Sequence, residues 1–162
     1  MGKDKYPTTA AIRYLKQHKV SYTPHLYTYE DKGGTRVSSQ QLGADEFTVI
    51  KTLVMEDELK RPLIILMHGN HAVSTKQLAR IIEVKQISPC TPQVATKHTG
   101  YQVGGTSPFG TNKTIPIYVE KSIIELDTIY INGGKRGFLV ALSPQILIET
   151  LRATPVNVAI SK

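Results

Sequence analysis

The sequence predicts a single domain, residues 1–162, of the α+β (mixed α/β) class: a curved or barrel-like mixed β-sheet with helices packed outside it. Three observations predict it. Strand-like and helix-like segments interleave along the 162 residues without strict alternation, which disfavours a doubly wound parallel sheet. Hydrophobic residues make up 40% of the chain, enough for one core at this length. Two glycine clusters, 100–110 and 132–137, border strand-like sequence. Glycine packs nothing in a strand, so it marks a bulge, a turn or a close approach of ligand to backbone.

The elements follow in order from caps and periodicity. Thr8-Thr9 caps a helix to about residue 18, with Ile12 and Leu15 on its buried face. Residues 21–29 alternate as a strand, and Pro24 puts that strand at a sheet edge. Residues 37–42 form a short helix ended by Gly43; 49–56 and 61–68 are apolar strands. Ser74 caps a helix through residue 82 with Leu78, Ile81 and Ile82 inward. A short strand at 85–87 precedes a capped helix over 91–98. After the first glycine cluster come a strand at 115–120, a helical turn near Ser122 and a strand at 128–131. The second cluster leads into a strand at 137–142. Ser143-Pro144 starts a helix to about residue 152, with proline at its first position, and 156–160 closes as a strand.

Composition narrows the function classes. Net charge is +7, with the twenty basic residues scattered rather than blocked. That suits a folded protein with a phosphate-bearing partner, and equally a basic protein without one. Cys90 is the only cysteine, which excludes an intrachain disulfide, disfavours a cysteine-based zinc site and points to a reducing cytoplasm. No apolar run approaches the roughly 18 residues of a membrane span, and the N-terminus has no signal-peptide core.

The motifs carry more. Gly105-Thr-Ser-Pro-Phe-Gly110 has two glycines of a P-loop, but Thr111 and Asn112 stand where Lys and Ser/Thr are required. Lys51 lies inside Val49-Ile-Lys-Thr-Leu-Val-Met55 and shares a strand face with Val49, Leu53 and Met55. It points into a pocket with a partner, or it snorkels from an open edge. Lys135-Arg136 between Gly134 and Gly137 offers charge beside free backbone N–H groups, an anion cradle; alternatively Asn132-Gly133 is only a hairpin turn. His68 and His71 flank a Gly-Asn loop without further ligands, so no metal is expected, and no cofactor motif is present. Cys90 has no base nearby in sequence and reads as an idle thiol.

Taken in order, Ile50-Lys51-Thr52-Leu53, then Gly100-Tyr101 with Gly104-Gly105-x-Ser107-Pro108-x-Gly110, then Gly133-Gly134-Lys135-Arg136-Gly137 resemble the YbaK family of aminoacyl-tRNA deacylases. That family is related to the editing domain of bacterial prolyl-tRNA synthetases. The resemblance implies a trans-editing enzyme that removes a wrong amino acid, cysteine foremost, from tRNA(Pro). It implies prolyl-tRNA synthetase as a second partner and a cytoplasmic setting. Lys51 matches the family's essential lysine, and Thr52 the threonine beside it. Tyr27, Gly104, Gly105, Ser107, Asn132, Gly133 and Gly134 then fall in the substrate site, with Lys135 and Arg136 toward the tRNA. Asn132 stands where the family has serine, and Leu139 replaces an acidic residue of some members. An alanyl or other aminoacyl substrate therefore stays open, as does a non-catalytic module that binds aminoacyl-tRNA or a nucleotide.

An aminoacyl ester needs orientation and stabilisation of the charge developing on its carbonyl oxygen more than it needs a protein nucleophile. Backbone N–H groups of the Gly104-Gly105 loop suit that role.

Overall fold

The computed structural model describes residues 5–161. Helix α1 (Ala10–Gln17) is capped by the Thr9 hydroxyl, which accepts the Ile12 N–H, and it buries Ala11, Ile12 and Leu15. Strand β1 (Thr23–Leu26) follows, then α2 (Gly34–Leu42), which stops where Gly43 turns left-handed at φ 66°. A single 3-10 turn at Glu46–Thr48 leads into β2 (Val49–Asp57), β3 (Pro62–His68) and β4 (His71–Val73). Next come α3 (Thr75–Ile82), β5 (Ile87–Pro89) and α4 (Pro92–Thr99). After the first glycine cluster the chain forms β6 (Ile117–Glu120), α5 (Lys121–Ile124), β7 (Ile129–Lys135) and β8 (Phe138–Leu142). Helix α6 (Gln145–Glu149) and strands β9 (Thr154–Val156) and β10 (Ala159–Ser161) finish it.

The main sheet is mixed and eight-stranded. Its order is β1-β8-β7-β2-β3-β6-β9, with β5 on the side of β2. β2 runs antiparallel to β3 and parallel to β7. Burial on both sides explains why β2 and β3 read as nearly continuous apolar runs. Ile50, Ile64 and Leu66 enter one core with Phe109, Phe138 and helices α1, α5 and α6. Met55, Leu63, Ile65 and Met67 enter a second core with Leu78 of α3. Among the described residues, edge strand β1 pairs only with β8, as suits Pro24.

Several boundaries depart from expectation. Ile81 is 43% exposed rather than inward; α3 packs through Leu78 and Ala79, with Ile82 half-buried. The short strand near 85–87 sits two residues later. Pro144 precedes the first residue of α6 rather than occupying it, and that helix stops at Glu149. The expected strand at 156–160 is two strands. β9 joins the main sheet through β6, whereas β10 pairs with β4 in a separate two-stranded sheet. Gly69-Asn70 is a turn as expected, and the strand β4 that follows it from His71 is not expected from the sequence. The second glycine cluster is divided: residues 132–135 belong to β7 itself, and only Arg136-Gly137 connects to β8. A register break between Asn132 and Lys135 lets β7 continue, and the hairpin turn is Arg136-Gly137, with Gly137 at φ 79°.

Candidate active site

A row of side chains crosses the sheet. His25 of β1 opposes Leu139 of β8, and Leu139 opposes Asn132 of β7. On the far side of β7, Val49 lies beside Tyr130 and Ile50 beside Ile131, which brings Lys51 level with Asn132. Residues in register on neighbouring strands share a face. His25, Leu139, Asn132 and Lys51 therefore look the same way. Thr52 looks the other way, on the side of Ile50 and Val54 in the α1 core. Its hydroxyl is buried with no hydrogen-bond partner among the described residues. Thr52 and Lys51 thus lie on opposite faces of β2.

Lys51 is neither idle nor at an open edge. Its ammonium donates to the main-chain carbonyl of His71. That carbonyl belongs to β4, which is held by its ladder with β10: His71 pairs with Ser161 and Ala72 with Ile160. Next to it, His68 is completely buried between Phe47, whose ring stacks on it at 3.6 Å, and Ser122. The Phe47 carbonyl 2.7 Å from His68 Nδ1 can only accept, so Nδ1 carries the proton and Nε2 accepts from the Ser122 hydroxyl. Burial lowers the His68 pKa and keeps the ring neutral.

Asn132 organises the glycine loops. Its amide nitrogen donates to the Gly104 carbonyl at 3.1 Å, and its amide oxygen accepts the N–H groups of Gly134 (2.7 Å) and Lys135 (3.1 Å). These two N–H groups, expected to be free for an anion, are therefore taken. The Gly105 N–H is likewise committed, to the Gln102 carbonyl at 2.8 Å, so it does not act as an oxyanion donor in this conformation. Gly104 is exposed at φ 88°, and a Cβ there would stand 2.7 Å from the Tyr29 hydroxyl. A Cβ at Gly105 would collide with the backbone of Lys135 and Arg136. Glycine at 104 lets the loop pass against Tyr29, and glycine at 105 lets it lie directly on the β7–β8 hairpin.

The remaining sequence candidates sort by what they touch. Ser107 is fully buried; its hydroxyl accepts the Phe109 N–H at 3.1 Å. Tyr101 beside it donates to the Phe109 carbonyl, and burial pushes its phenol up to about 12. Gly133 and Gly134 form the seat of α1: the Gly133 carbonyl accepts from Thr9, and a Cβ at Gly134 would strike Tyr101 and Thr9. Arg136 donates from Nε to the Val103 carbonyl at 2.8 Å and lays its guanidinium over the Tyr29 ring at 4.8 Å. Lys135 is exposed. Tyr27 extends the β1–β8 pairing through its N–H to the Gly137 carbonyl, and its half-buried phenol is raised by burial.

The sequence gives no hint of a second cluster. Glu56, Cys90 and His98, from β2, the β5–α4 link and α4, bring their ligand atoms within 4.8 Å of one another. Burial first, then the Glu56 carboxylate, pushes the Cys90 thiol up to about 11. The Lys113 ammonium lies 3.1 Å from His98 Nδ1 and occupies that nitrogen by donating to it. A signal for this cluster would have to be long-range, since the members are far apart in sequence.

Comparison with known proteins identifies the family and the fold. Residues 30–150 match the family model of the aminoacyl-tRNA editing domain. A protein of Enterococcus faecalis named as a candidate Cys-tRNA(Pro)/Cys-tRNA(Cys) deacylase, EbsC, is 29% identical over 142 residues, covering 87% of each chain. A proline–tRNA ligase of Thermodesulfovibrio yellowstonii is 28% identical over 138 residues, which are 84% of this chain and 22% of the ligase. A crystal structure described as a candidate trans-editing enzyme for prolyl-tRNA synthetase superposes with a TM-score of 0.82 at 19% identity. It covers 96% of this chain and all of that one, and so shares the fold. The chain belongs to the aminoacyl-tRNA editing domain family and is an aminoacyl-tRNA deacylase by class.

Proposed function

We propose that this chain, as one editing domain over residues 1–162, is a trans-editing deacylase that removes a mischarged amino acid, cysteine foremost, from tRNA(Pro). The observation that carries the reading is the convergence of Lys51 and Asn132 on one sheet face, with the Gly104 loop tied to Asn132. A cation and a close-approach glycine loop supply positioning and charge stabilisation for an ester that is already activated. The relative named for Cys-tRNA(Pro) and Cys-tRNA(Cys) supports cysteine as the amino acid. The synthetase relative supports prolyl-tRNA synthetase as a partner, and the translation-linked editing family supports a cytoplasmic setting.

In this reading Lys51 holds the aminoacyl end through the terminal adenosine or the reacting carbonyl. The substrate's own sulfur attacks its carbonyl carbon, a C–S bond forms and the C–O ester bond breaks. The thiol proton ends on the ribose oxygen, and the amino acid leaves as a thiolactone. Cys90 stays a neutral thiol and takes no part. Leu139 favours a second reading. This buried apolar side chain, 4% exposed, stands in the row beside Asn132, where it suits a small apolar side chain such as alanine, with water as the attacking group. Side-by-side deacylation of Cys-, Ala-, Ser- and Pro-tRNA(Pro) tests the proposal: rapid loss of cysteine supports it, rapid loss of alanine alone supports the second reading, and loss of neither refutes both.

A further inference from the structure

The hairpin that carries Arg136 also walls an open cavity of about 470 Å³. Lysine and arginine charge and three phenol rings meet there: Lys5, Tyr6, Tyr27, Tyr29, Lys135 and Arg136. Among the described residues, no carboxylate lines the cavity. Two of the three rings, Tyr6 and Tyr29, are braced in advance. Tyr6 stacks on Phe138 with centroids 6.4 Å apart and planes at 28°, and the Lys5 ammonium lies 5.7 Å from its centroid. Tyr29 is covered on one side by Arg136, whose Nε is fixed to the Val103 carbonyl. A ligand meeting these groups does not have to order them, which removes part of the cost of binding.

Positive charge alone would accept any polyanion. Ring faces beside it select a polyanion whose planar groups are free, because base–aromatic stacking needs an unpaired base while duplex RNA keeps its bases inside. The cavity also adjoins the candidate active site. The Tyr29 hydroxyl lies against Gly104, whose carbonyl is bonded to Asn132 of the Lys51 row. A strand whose last nucleotide entered that row would pass the Gly104 loop and reach this cavity with the nucleotides before it.

We propose that the cavity binds the unpaired nucleotides that precede the terminal adenosine of the tRNA acceptor, stacking a base on the tyrosines while Lys5, Lys135 and Arg136 face the phosphates. The identity of the strand rests on the deacylase reading above; the preference for unpaired RNA does not. An uncharged acceptor-stem RNA hairpin with an unpaired 3′ overhang, carrying 2-aminopurine in that overhang, is titrated with the protein. A blunt hairpin of the same stem serves as comparison. The overhang should bind about tenfold more tightly than the blunt hairpin and its 2-aminopurine emission should be quenched on stacking. Tyr29→Ala should lose about tenfold in affinity and the quench, while Tyr29→Phe keeps both. Lys5→Ala, at an exposed residue, should lower the slope of log affinity against log salt by about one. It carries the test if Tyr29→Ala does not fold. Equal affinity for blunt and overhanging RNA, or binding indifferent to both Tyr29→Ala and Lys5→Ala, overturns the proposal. The probe carries no amino acid, so the two readings fail separately. Overhang binding without any deacylation sinks the enzyme reading alone. Deacylation with binding indifferent to these residues sinks the cavity alone.

Discussion

The Lys51 ammonium is hydrogen-bonded to the main-chain carbonyl of His71, the residue at which β4 meets Ser161 of β10. A side chain at the centre of the sheet is thereby oriented by a strand from the far end of the chain. A lysine has four rotatable bonds above its backbone, and fixing its head at one acceptor sets where its charge stands before substrate arrives.

Lys51→Ala should therefore abolish deacylation while the protein keeps its fold. Removing a single electrostatic contact to a developing charge costs about 100- to 1000-fold in kcat. Circular dichroism and single-turnover deacylation together check this; a folded variant with nearly full activity contradicts it.

Ile160→Pro should lower activity without touching Lys51. Proline removes a ladder donor and is poorly tolerated within a paired strand, so β10 should loosen from β4 at the Ile160–Ala72 rung. A fall in kcat of about tenfold, with KM nearly unchanged, is expected, because misplacement of a catalytic group is felt in the chemical step. A wild-type kcat in a variant shown by hydrogen exchange to have lost the β4–β10 ladder would show that His71 does not position the lysine.

Asn132→Ala should cost stability and activity together. The variant unties the Gly104 carbonyl and two N–H groups, each partly exposed bond being worth about 1 kcal/mol. A loss of about 3 kcal/mol corresponds to a Tm fall of about 6–12 °C at this size. Asn132→Asp keeps the two acceptor bonds and should recover part of the Tm.

Cys90→Ser should retain activity, and the thiol should resist alkylation. With the pKa pushed up to about 11, the thiolate fraction at pH 7.5 is only about 1 in 3000. Alkylation should quicken about tenfold per pH unit toward that value, and fast modification at neutral pH would contradict the placement of the thiol.

Burial lowers both His68 and His98 below the ordinary histidine value of 6.5. Below that pH the unfolded chain takes up protons before the folded one does. The contribution of these histidines is complete above about pH 6.5 and declines as pH falls toward the lowered values. His68→Gln should flatten that acid-side decline in a Tm-against-pH profile; an unchanged profile would assign it to other groups.

Much of this architecture was legible in local chemistry. Thr9, Ser74 and Thr91 cap α1, α3 and α4 as their hydroxyls suggest, and Gly43 ends α2 as a left-handed residue must. The apolar runs around Lys51 and Leu66 became the paired β2 and β3 because both faces are covered. What was not legible depends on partners distant in the chain. His-Ala-Val is too short to show a strand period, and β4 exists because β10 lies against it. Asn132-Gly133-Gly134 has turn composition, yet β8 and the Asn132 side chain hold it in the sheet. For the site, Lys51 and the glycine loops were visible as oddities: a charge in an apolar strand, glycines beside strands. Their meeting point was not, since it requires the parallel register of β2 with β7. The engagement of Arg136 with Tyr29 and Val103 was equally hidden, because it crosses three segments.

Deacylation of Cys-, Ala-, Ser- and Pro-tRNA(Pro) by the wild-type protein and by Lys51→Ala, measured side by side, bears most directly on the central claim. Wild type should discharge Cys-tRNA(Pro) rapidly and spare Pro-tRNA(Pro), with Lys51→Ala slower by about 100-fold or more. Discharge of none of the four by the wild type, or equal rates with and without Lys51, would contradict it.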